Sequence, residues 1–203
     1  VRIPRLASAR RRAMTRALTE AELREVYARG MRGESLPALL PPSEPGWVQL
    51  FNGKDLTGWH EGKASARNAW SVANGILKGQ SLEQAFLWTD RSDFKDFHLR
   101  VKARLDGAGD SGVLFRNVLP KGYEADINLG QVPTGSLWQN AHGKGRVLAQ
   151  APAASAPKRG EWFTMEVIAR GNRIQIVVNG HVTAEATDST SLEGRFALQA
   201  RVK

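Results

Sequence analysis

From Trp47 onward, hydrophobic and polar positions alternate with period two. Phe97, Leu99, Val101, Ala103 and Leu105 alternate with His98, Arg100, Lys102 and Arg104. That pattern predicts a strand with one buried and one charged face. Phe163, Met165, Val167 and Ala169 repeat it, and so do Ile174, Ile176 and Val178. Asn74-Gly75 and Asn179-Gly180 lie between strand-like runs and predict type I′ hairpins. Counted this way, about ten or eleven short strands follow residue 47 with no helical pattern among them, which predicts a sandwich or barrel. Ala149–Pro157 is low in complexity and reads as a surface loop.

Before Trp47 the pattern differs. Thr19 and Glu22 have capping-box spacing, and Leu18 and Leu23 sit where a hydrophobic staple would place them. Leu23, Val26 and Tyr27 form an apolar stripe and Gly30 supplies a stop, so a short helix of about 11 residues is expected. Four prolines between Leu36 and Gly46 predict an extended linker. The division is therefore 1–46, a basic arm, one short helix and a Pro-rich linker, and 47–203, a β-sandwich domain.

Composition narrows the function. The chain has 203 residues, 41% of them hydrophobic, which suffices for one sizeable core. No apolar run reaches the ~18–20 residues that span a bilayer. There is no cysteine, so disulfides and thiolate metal sites are excluded. The net charge is +9, but residues 1–16 hold six arginines and no acid, so the other 187 residues carry +3. The charge marks an arm, not a nucleic-acid-binding body, and its basic residues lack interleaved aromatics. Such an arm suits a larger protein assembly or an anionic membrane surface, with Arg10, Arg11, Arg12 and Tyr27 as candidate contacts. The start at Val1 reads as a processed or trimmed N-terminus.

The candidate chemistry lies in Tyr123-Glu124-Ala125-Asp126-Ile127-Asn128-Leu129. Alternation puts Tyr123, Ala125, Ile127 and Leu129 on the core face and Glu124, Asp126 and Asn128 on the other. Carboxylates two apart on a strand have stems ~6–7 Å apart, a range that overlaps paired glycosidase carboxylates. Arg116, on the preceding strand, is a candidate to hold one of them ionised. A solvated or salt-bridged face accounts for the same pattern. Trp138, Trp59 and Trp88 are candidates to stack on a sugar ring, against the alternative that they are core. His142 sits in a glycine-flexible loop and is a candidate acid or base. The four histidines have no metal spacing, and no Asp/Asn loop demands calcium, so no cofactor is expected.

An ordered set of motifs adds a resemblance. Trp47-Val-Gln-Leu-Phe-Asn-Gly-Lys-Asp-Leu-Thr-Gly-Trp59, Trp70–Leu77, Asp93–Leu99, Gly109–Arg116, Gly122-Tyr123-Glu124, Thr134–Trp138, Gly160-Glu161-Trp162, Val178-Asn179-Gly180 and Phe196–Gln199 occur in sequence. Together they resemble the 3-keto-disaccharide hydrolase-like family, whose fold is the concanavalin A-like jelly roll. The resemblance implies a sugar ligand, an exported, periplasmic or cell-surface location, and in some members hydrolysis of glycosides oxidised at the 3-position. It also puts Gln199 on the site face and, through the Gly109–Arg116 motif, implies a clamp on a sugar hydroxyl by Arg116. Two departures bear on activity. Asp126 stands where the family commonly has Gln, and the chain stops soon after Gln199 where the family continues. The competing expectation is a non-catalytic structural subunit attached through residues 1–45.

Overall fold

The computed structural model describes residues 2–4, 47–62, 68–107, 109–141 and 144–201. The arm beyond Pro4, the expected helix and the Pro-rich linker lie outside them. In chain order the strands are β1 (Arg2–Pro4), β2 (Trp47–Gln49), β3 (Trp59–Glu61), β4 (Trp70–Ala73) and β5 (Ile76–Gly79). Next come β6 (Ala85–Thr89), β7 (Phe97–Ala103), β8 (Asp110–Val118), β9 (Lys121–Asn128) and β10 (Leu137–Ala141). Then follow β11 (Lys144–Ala149), β12 (Phe163–Arg170), β13 (Arg173–Val178), β14 (His181–Thr187) and β15 (Arg195–Arg201). The fourteen strands from Trp47 exceed the ten or eleven expected. β2 and β3 have three residues each, too few to show a period.

Two sheets form the sandwich, which is all-β as the alternation predicts. A six-stranded sheet has the order β14-β13-β12-β7-β1-β2, and a seven-stranded sheet has the order β11-β10-β9-β8-β15-β6-β3. β4 and β5 make a separate hairpin. β1 lies between β7 and β2, with Ile3 opposite Val48, so the first residues of the expected arm belong to a sheet.

The period-two residues meet between the sheets. Leu99, Val101, Met165, Val167, Ile174 and Ile176 come from one sheet, and Val113, Phe115, Tyr123, Ala125, Leu137 and Phe196 from the other. Burying one such aliphatic or aromatic side chain contributes about 1.5–3 kcal/mol before entropy is counted. A second cluster of Trp59, Trp70, Ala85, Leu87 and Ala200 seats the β4–β5 hairpin on the seven-stranded sheet.

Both expected hairpins form. Asn74 and Gly75 have φ of 51° and 76°, and Asn179 and Gly180 have 49° and 83°. A type I′ turn requires positive φ at both central residues. The loop 149–157 contains a 3₁₀ turn at Ala153–Ser155, and Ala151 anchors it by donating to Ser136 Oγ at 2.9 Å.

Candidate active site on the outer face of the seven-stranded sheet

β9 fixes the site by parity. Tyr123, Ala125 and Ile127 enter the core, which turns Glu124, Asp126 and Asn128 to the outer face. Directly opposed residues of an antiparallel pair share a face. Trp138 on β10 opposes Glu124, Asp110 and Gly112 on β8 oppose Asn128 and Asp126, and Gln199 on β15 opposes Gly112. These residues gather in a pocket of about 520 Å³, lined by Asp110, Glu124, Asp126, Trp138, Asn140 and Gln199 and walled by the Gly130–Val132 loop.

Two glycines make room for it. A Cβ on Gly112 would overlap Glu124 Oε1 and lie 2.8 Å from its Cγ. A Cβ on Gly145 would lie 2.8 Å from Asn140 Oδ1. The bare backbone at these positions lets the Glu124 and Asn140 side chains lie across the neighbouring strands.

The pocket's charges act on one another. Burial, then Asp126, then Asp110, push the Glu124 carboxyl up to about 8, while a hydrogen bond from Asn140 pulls the other way. Glu124 is therefore protonated at neutral pH. Asp126 is buried and accepts a hydrogen bond from Trp138 Nε1 at 3.1 Å. Asn128 donates to Asp110 Oδ1 at 3.3 Å and accepts from Gly130 N at 2.7 Å. Gln199 is only 7% exposed, and its Oε1 finds no hydrogen-bond partner among the described residues. A buried acceptor left this way costs about 1–3 kcal/mol, and a ligand hydroxyl would satisfy it.

The remaining sequence candidates are placed differently. Arg116 does not reach the carboxylates. Its φ of 46° and the register shift after Phe115 break the alternation. The side chain is fully buried and donates to Lys95 O at 2.8 Å and 2.6 Å, Gly171 O at 2.7 Å and Asp96 Oδ1 at 3.2 Å. It staples loops together, and its carboxylate partner is Asp96 rather than Glu124 or Asp126. Trp59 faces the second cluster and donates to Leu50 O at 2.9 Å, so it is not available for stacking in the pocket. Trp88 is on the outer face, where it packs on Leu114 and Ala197 three strands away from Glu124. His142, Arg10, Arg11, Arg12 and Tyr27 lie outside the described residues.

Sequence reasoning did not single out Asp110 or Asn140. Their signal is the pairing of β8 and β10 with β9, which exists only once the strand order is known. Among the described residues, no group of three or more His, Cys, Asp or Glu is arranged to hold a metal ion.

Residues 46–203 match the profile of the 3-keto-alpha-glucoside-1,2-lyase-like domain, more than three-quarters of the chain. The chain belongs to this family. Solved structures agree with the lyase-like fold. The chain is similar to the carbohydrate-binding module CBM66 from Bacillus subtilis at 20% identity and a TM-score of 0.61, covering 70% of this chain and 86% of that one. It is also similar to a candidate glycosyl hydrolase from Parabacteroides distasonis, at 16% identity and a TM-score of 0.60, covering 77% and 88%. A Bacillus subtilis protein of unknown function with a galectin-like fold follows at 10% identity and 0.57, covering 75% and 86%. At these identities the likeness is one of fold. No curated protein matches the chain.

Proposed function

We propose that this lyase-like protein cleaves 3-keto-glycosides in the outer-face pocket, with Glu124 as the proton donor to the departing glycosidic oxygen. The observation that carries the reading is the Glu124 carboxyl enclosed beside Asp126 and Asp110 in a pocket built around it, a placement that pushes it up to about 8. A group that keeps a proton at neutral pH can give it to a leaving group.

A ketone at C3 acidifies the C2 hydrogen, so cleavage by elimination needs one proton removed and one delivered. The C2 proton passes to a base, the C1–O bond breaks, a C1–C2 double bond forms, and the leaving oxygen takes the Glu124 proton. Asp126, held in place by Trp138 Nε1, is the proposed base. Trp138 offers an apolar ring for the sugar face, and Gln199 Oε1 accepts a sugar hydroxyl. An exported location, where glycans are met, accords with this substrate class.

The test is a panel of 3-keto-glucosides and their unoxidised parents, followed by chromatography of the released alcohol. Turnover of the 3-keto members alone is expected. Glu124→Gln should lower it by ~10²–10⁴-fold, the usual worth of a general acid. Binding without turnover would make the protein a sugar-binding module, and neither binding nor turnover would refute the reading.

A further inference from the structure

We infer that the pocket selects its sugar by charge, accepting neutral or amino-bearing rings and rejecting uronates, sulfated sugars and sugar phosphates. The inference deepens the proposed function and rests on the pocket being a sugar site. Three carboxyl groups, Asp110, Glu124 and Asp126, line it, and no lysine, arginine or histidine does so among the described residues. Arg201 opposes Asp110 in register, but it is exposed and is not part of the lining.

The hydrogen-bonding character points the same way. Gln199 presents a buried acceptor without a partner among the described residues, and Asp126 presents a buried carboxylate. Acceptors of this kind call for donors. A neutral sugar brings hydroxyl groups, and an amino sugar brings an ammonium. The carboxylate of a uronate, a sulfate or a phosphate replaces one such donor with acceptors alone and adds a negative charge. Burial raises the Glu124 carboxyl most, and the neighbouring Asp126 and Asp110 add to the rise, so a further negative charge placed among them meets the same repulsion. A ligand carboxylate ~6 Å from an ionised aspartate, at an effective dielectric of ~20, loses roughly 100-fold in affinity, and roughly 10-fold survives screening in an open pocket.

Methyl α-glucoside, its 6-amino-6-deoxy derivative and methyl α-glucuronide differ only at C6. None has the 3-keto group, so wild-type protein can be titrated with each and followed by NMR. The glucuronide is expected to bind at least ~10-fold more weakly than the glucoside, and the amine at least as tightly as the glucoside. Asp110→Asn should narrow the gap between glucoside and glucuronide. A glucuronide that binds as tightly as the glucoside, or a gap unmoved by Asp110→Asn, overturns the inference. So does the absence of binding by all three. The reading of glycoside cleavage falls separately, if 3-keto-glucosides are not cleaved, whether or not they are bound.

Discussion

Glu124 keeps its proton because of where its side chain lies. It crosses the bare backbone of Gly112 into a pocket that already holds Asp126 and Asp110. Gly112 is thus as much a determinant of the site as the carboxyl itself. Gly112→Ala should push the Glu124 carboxyl aside while leaving the β8–β9 ladder intact. Misplacing a reacting group by ~1 Å costs up to ~100-fold, so turnover should fall at least ~10-fold with little change in thermal stability. Full activity in a folded Gly112→Ala protein would show that the carboxyl need not sit where it does. Parity along Tyr123–Leu129 assigned Glu124, Asp126 and Asn128 to one face from the sequence, and the pocket has them there. Gly112 could not be read that way, since its role depends on which residue of another strand leans over it.

At the scale of elements, β8 illustrates where alternation stops being informative. Its signature Gly109–Arg116 is legible in the sequence as a motif, and in the fold Val113 and Phe115 are core. Arg116 was expected to continue on the site face. A left-handed residue in a strand is not marked in the sequence unless it is Gly or Asn, so the bulge and the reversal of the side chain were invisible. The buried guanidinium instead satisfies two carbonyls of separate loops, Lys95 and Gly171. Arg116→Ala should therefore destabilise the fold by about 3 kcal/mol or more, because it leaves buried acceptors unpaired and a cavity behind. Arg116→Lys should restore little, since an ammonium on a flexible stem lacks the planar fork. Urea denaturation measures both, and a loss below ~1 kcal/mol for the alanine variant would contradict the stapling role. The tryptophans divide in the same way. Trp59 and Trp138 look alike in sequence, but β3 is too short to show a period, and only the sheet decides that one is core and the other lines the pocket.

For the whole molecule, one sheet supplies most of the chemistry and the other supplies the support. The six-stranded sheet contributes Leu99, Met165, Val167 and Ile176 to the core, which holds Tyr123 and Ala125 and so sets the outward parity of β9. The fold class was readable because it depends on repetition, in many strands with two Asn-Gly hairpins. The site was readable only in part because it depends on strand neighbours far apart in sequence, such as Asp110 and Gln199. The central claim is that Glu124 delivers a proton during cleavage of a 3-keto-glycoside. The pH dependence of kcat/KM for such a substrate tests it directly, since that profile reports the free protein's ionisations. Glu124 is protonated below about 8 and loses its proton above it. Activity should accordingly fall as pH rises through about 8, and Glu124→Gln should be slower by ~10²–10⁴-fold and lack that limb. A wild-type profile that stays level through this range, or a Glu124→Gln protein as fast as wild type, would contradict it.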